Sequence, residues 1–142
     1  MASGSAICDG VVTLLTATSM LGASMATVNN WKVLEKTSGS CAVVSITGLS
    51  FEPTTFGTNK DQVWTIAILG YIKDTNHPTD DLSKINTMIT SFADAIASDD
   101  TLQGTVGIVR SFRATRRAGD RLEIGGALWH PVEMFVEAIV LT

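Results

Sequence analysis

Charged side chains are the residues of this chain with the most chemistry to offer, and its arginines crowd together. Arg110, Arg113, Arg116, Arg117 and Arg121 are all the arginines it has. Asp120 is the sole acid among them, so the window from 110 to 121 carries +4. The five lysines and thirteen other acids leave the remainder at −8, which returns the overall −4. A guanidinium is a planar fork that grips carboxylates and phosphates through paired hydrogen bonds. Three readings follow. As a nucleic-acid patch the window is poor, because it interleaves no aromatic beyond Phe112 and sits in a chain of pI near 5.0. As a solvated hairpin tip it needs no partner. As a protein-docking surface it uses arginine as interfaces commonly do, and a basic segment on an acidic body sets the orientation of a neighbour. This last reading leads.

Other candidate groups yield less. His77 and His130 have no partners at metal-like spacing, and a catalytic zinc needs about three protein ligands. Glu133 and Glu137 invite a paired-carboxylate reading. On a strand their backbones lie about 13 Å apart, beyond the ~5 to 9.5 Å between the carboxyl groups of glycosidases. Both read as surface or interface acids. Cys8 and Cys41 form no CxxC and read as small core residues, not as a disulfide. There is no GxxxxGK[ST], GxGxxG, HExxH or GxSxG. The residues therefore assign no catalytic group, no cofactor and no metal, and the expectation is a protein that is not an enzyme.

Hydrophobic spacing defines the elements that must hold these groups. Ile7, Val11, Leu14, Leu15, Thr18, Leu21 and Met25 recur at three- and four-residue steps and predict an N-terminal helix. Trp31 to Lys36 leads into a Ser/Gly break over 37–40. Cys41 to Leu49 then reads as a strand, and Gln62 to Lys73 as a longer one buried on both faces. Their connection, Ser50 to Asp61, carries Pro53, Gly57 and Asn59 between Phe51 and Phe56. It reads as an ordinary surface loop, as an arm formed by flaring strands, or as a segment that a partner orders, with the two phenylalanines as contacts.

After the break at Asp74 to Pro78, Thr79 or Asp80 caps a helix whose Leu82, Ile85, Ile89, Phe92, Ala93 and Ile96 form the cleanest amphipathic stripe in the chain. Asp80 and Asp81 suit its positive end. Gly104 to Arg117 reads as a strand, 116–121 as a turn, and Leu122 to Ile124 as a short return. Leu128 to Leu141 closes the chain as a strand with Val132, Met134, Val136, Ala138 and Val140 facing the core. Glu133, Phe135, Glu137, Ile139 and Leu141 share its other face. Pro131 predicts an edge or bulge at the start. The fold class is α+β: one domain, 1–142, with a mostly antiparallel sheet of about five strands packed by two helices.

Composition agrees with a packed globule, with 45% hydrophobic and 17% charged residues, and excludes disordered and collagen-like classes. The stretch from Ile7 to Met25 has no basic flank and contains Asp9, so neither a signal peptide nor a membrane span is expected, and the chain reads as cytosolic.

This order of elements resembles the phage tail terminator family. The layout is an N-terminal helix, two long strands with an extended connection, a central amphipathic helix, and three C-terminal strands closing on His130-Pro131-Val132-Glu133-Met134-Phe135-Val136-Glu137-Ala138-Ile139-Val140-Leu141-Thr142. The resemblance implies a homo-oligomer, a hexameric ring at the head–tail junction of the virion, assembled in host cytoplasm. Such a ring stops polymerisation of the tail tube protein and docks the head–tail connector or stopper protein. Neither a membrane nor sequence-specific nucleic acid is expected as a partner from the residues themselves. Two alternatives stay open: a head–tail adaptor of the neck, and a small ligand-binding or enzymatic α+β domain.

Overall fold

The computed structural model describes residues 3–17, 26–29, 40–53, 60–115, 121–124 and 126–140. Helix α1 spans Gly4–Thr16. Its N-cap is Ser3, whose hydroxyl accepts from the Ala6 N–H at 3.1 Å, and it buries Ile7, Cys8, Val11, Leu14 and Leu15. The helix is shorter than its apolar stripe. Thr18, Leu21 and Met25 lie outside the described residues, and Ala26–Val28 forms a strand, β1. That strand was missed because three residues show no periodicity. Trp31 to Lys36 also lies outside the described residues.

Strand β2 (Ser40–Pro53) pairs antiparallel with β3 (Lys60–Lys73) along its whole length, from Ser40 opposite Ile72 to Pro53 opposite Lys60. The two strands therefore run on into the connection expected from Ser50 to Asp61, and Phe51 sits on β2 opposite Gln62. Helix α2 (Pro78–Ser98) starts two or three residues earlier than a Thr79 or Asp80 cap implies. His77 stands at the N-cap position with no side-chain cap, and Pro78 opens the first turn. The expected strand start at Gly104 is instead a set of turns over 99–107. Asp99 organises them: its carboxylate accepts from the Thr101 hydroxyl at 2.6 Å and from the Gln103 N–H at 3.0 Å. Strand β4 (Ile108–Thr115), the short β5 (Leu122–Ile124) and β6 (Ala127–Val140) complete the chain.

These six strands form one sheet in the order β1-β2-β3-β6-β4, with β5 also on β6. Only β1 with β2 is parallel. Strand β6 is central, which corrects the edge inferred from Pro131. The proline sits opposite Tyr71 on β3, in the interval between the β5 pairing, which stops at Trp129, and the β4 pairing, which starts at Glu133. An N–H missing there disrupts neither flanking ladder.

Both helices cover one face. Ala42, Val44, Ile66, Ile68, Val132, Met134, Val136 and Ala138 meet Ile7, Val11, Leu15, Ile85, Met88, Phe92 and Ile96 in the main core. Gly70 makes the close approach possible: a Cβ there would stand 2.5 Å from the Met88 sulfur. Gly10 does the same where α1 meets the Leu102 carbonyl. On the opposite face Cys41, Val43, Tyr71 and Trp129 form a second, smaller cluster, all nearly inaccessible. Both cysteines are free and buried, as their apolar setting suggested.

Candidate functional site

Two polar clusters stand near the two ends of β6. The first is built on a register shift. Between Val109 and Ser111 strand β4 carries one residue more than β6, so Arg110 has no partner across the ladder. A bulge of this kind re-aims a side chain. Here Arg110 lies across the sheet's helix-free face, with Nη1 donating to Glu52 at 3.1 Å and Nη2 donating to Glu137 at 2.9 Å. The Glu52 contact, followed by Glu137, raises the guanidinium's pKa above its ordinary value. Next to this bridge the Arg113 guanidinium carbon stands 5.3 Å from the centroid of the Phe135 ring. Thr65, Ser111, Arg113, Phe135 and Glu137 line a shallow groove of about 370 Å³.

The structure thus joins Arg110, Arg113 and Glu137 of the expected interaction residues. Arg110 is already held by two acids of its own chain, and Arg121 by a third, through Nη1 to Asp74 Oδ2 at 3.3 Å. Arg121 enters β5 and so sits near the opposite end of β6 from Arg110, some nine residues or about 30 Å away along the strand. Glu133 lies on the helix-free face, opposite Leu69 on one side and Thr115 on the other. Phe51 is 58% exposed and lies apart from the groove, in register with Gln62. Arg116, Arg117 and Phe56 lie outside the described residues.

The second cluster was not found from sequence. Asp74 directly follows β3, Asp81 is in the first turn of α2, and His130 lies on β6 opposite Ile72, on the face that the helices cover. Their side chains are 3%, 2% and 12% exposed. His130 Nε2 is 3.1 Å from Asp81 Oδ2 and 3.6 Å from Asp74 Oδ1. Thr75 donates to Asp81 twice, from its hydroxyl at 2.6 Å and from its N–H at 3.2 Å. Asp74 accepts from the Asn76 N–H at 3.0 Å, and its own N–H donates to the Leu128 carbonyl at 2.9 Å. Burial alone pushes the Asp81 carboxyl upward. The Thr75 hydrogen bonds, with His130 and Asp74, outweigh it and hold that carboxyl at about 2. Both acids stand in the first turn as expected, Asp80 exposed and Asp81 buried. Sequence spacing hides this cluster because its members are 7 and 49 residues apart. Aligning β3 with β6 by their apolar faces would have set His130 beside the end of β3.

Nucleophilic chemistry finds no support at the two thiols. Burial pushes Cys41 up to about 12, and burial, with Asp9, also raises Cys8. No helix among the described residues is long and apolar enough to cross a membrane. Compared with known proteins, the chain matches no family model and no characterised sequence.

Proposed function

We propose that this chain is a structural protein of the tail-terminator type, forming a ring, six copies in the leading reading, that caps a phage tail tube and presents a docking surface to the head connector. One observation carries the reading. The sheet ends in two different edges: β4 on one side and, on the other, the stretch of β2 beyond Val44, where β1 no longer pairs among the described residues. Closed rings need heterologous contacts, one surface meeting a different one on the next copy. Two unlike edges of similar length, 8 residues in β4 and about nine in β2, supply such a pair. The long β2–β3 pair extends past the helices' cover and gives the ring an arm toward the tube. The groove beside Arg113 and Phe135 is a second contact surface on the helix-free face.

Native mass spectrometry with and without tail tube protein tests this. The expected species is about six times 15.1 kDa. A chain that remains single at micromolar concentration in both conditions overturns the proposal. Arg113→Glu should leave the circular dichroism spectrum unchanged and lower the assembled fraction; unchanged assembly removes the groove from the contact surface.

A further inference from the structure

We infer that Asp74, Asp81 and His130 form a binding site for one divalent transition-metal ion such as zinc. The three side chains supply two carboxylates and one imidazole, a donor set suited to zinc and its neighbours. Their ligand atoms all lie within 4.8 Å of one another. With metal–ligand bonds of about 2.0–2.2 Å, adjacent donors of a tetrahedral zinc stand about 3.4 Å apart. The observed separations, 3.1 Å and 3.6 Å from His130 Nε2 to the two carboxylates, bracket that value. The longer one exceeds a hydrogen bond, so Asp74 and His130 are close without bonding to each other.

The outer partners match what ligating carboxylates need. Thr75 fixes Asp81 through its hydroxyl, and Arg121 stands at 3.3 Å from the far oxygen of Asp74. That Asp74 oxygen is buried and makes no hydrogen bond among the described residues, its contact being the ion pair with Arg121. Asp81 and His130 come from α2 and β6, rigid elements that hold a site more precisely than loops do, and Asp74 follows directly on β3.

The chain has only two histidines, and His77 is exposed, so zinc titration into the intact protein can be read ring by ring. In nitrogen-detected NMR, one equivalent of Zn²⁺ is expected to move the His130 Nε2 signal and leave His77 in place. Elemental analysis after dialysis should find one zinc per chain. Asp74→Asn, which keeps the side-chain volume, should weaken binding at least tenfold. The proposal is overturned if His130 is unmoved at one equivalent, if both histidines respond together only in excess zinc, or if Asp74→Asn binds as the parent does. Each of those results makes the cluster a hydrogen-bonded latch between α2 and β6.

Discussion

The two polar clusters at the ends of β6 use the same chemistry in opposite surroundings. Arg110 with Glu52 and Glu137 lies on an open sheet face, where its side chain is 42% exposed. His130 with Asp74 and Asp81 lies beneath the first turn of α2, almost without solvent. Exposed ion pairs contribute little because water already solvates the separated charges and salt screens them. Buried ones add modestly when intact, yet removing one member strands a charge in a poor solvent. The sheet is thus joined firmly to its helix at one end. At the other end it carries a network that a partner can rearrange at low cost.

The largest effect that sharpens this contrast is expected at the buried end. His130→Ala should destabilise the fold by about 3–5 kcal/mol, because two buried carboxylates lose their shared neighbour. Urea denaturation measures it, and a loss below about 1 kcal/mol would place both clusters in the same energetic class. The loss should change little between low and high salt.

A second effect belongs to the cluster beneath Trp129. Burial pushes Cys41 and Tyr71 up to about 12 from 9.0 and 10.0, with Cys41 and Glu133 adding to the shift on Tyr71. The folded chain therefore keeps both protons where the unfolded chain has released them. Stability is intact below about pH 9 and falls as pH rises toward about 12, by up to about 1.4 kcal/mol per pH unit for each group. Denaturation midpoints taken from pH 8 upward should show the decline, and Cys41→Ala should make it shallower.

The smallest effect is expected at the open end. Arg110→Ala should leave the denaturation midpoint almost unchanged, and the coupling between Arg110 and Glu137 in a double-mutant cycle should be small and shrink further as salt is added. A coupling of several kcal/mol that ignored salt would show that this bridge is not the loose one.

What the sequence disclosed divides along similar lines. Long periodic segments were legible: the stripe of Ile85, Phe92 and Ile96 on α2, the doubly buried β3, and the alternation from Val132 to Ala138 all stand in the structure as read. Their signal is hydrophobic spacing, which depends on local geometry alone. Strand β1 escaped because three residues paired to a distant strand have no pattern of their own. The end of α1 escaped because apolar spacing continued past the helix. Pro131 misled because, among the described residues, an interval between two short flanking strands shelters it as well as an edge does. Asp81 and His130 were legible as residue types, but their meeting depends on how β3, β6 and α2 stack. Ring formation remains a proposal because exposed edges show where contacts are possible and not which copy makes them.

The supernumerary residue in β4 has a consequence for how this chain tolerates changes in length. Val109 faces Ala138 and Ser111 faces Glu137, so neighbouring positions on β6 already match positions that flank Arg110. Excising that one residue would splice the strand into regular pairing, with Phe112 and Ala114 still directed at the core and only the crossing bridge lost. Excising Phe112 instead would turn the remainder of the strand over. A scan of single-codon deletions should therefore find one permissive notch in a segment that is otherwise intolerant of shortening.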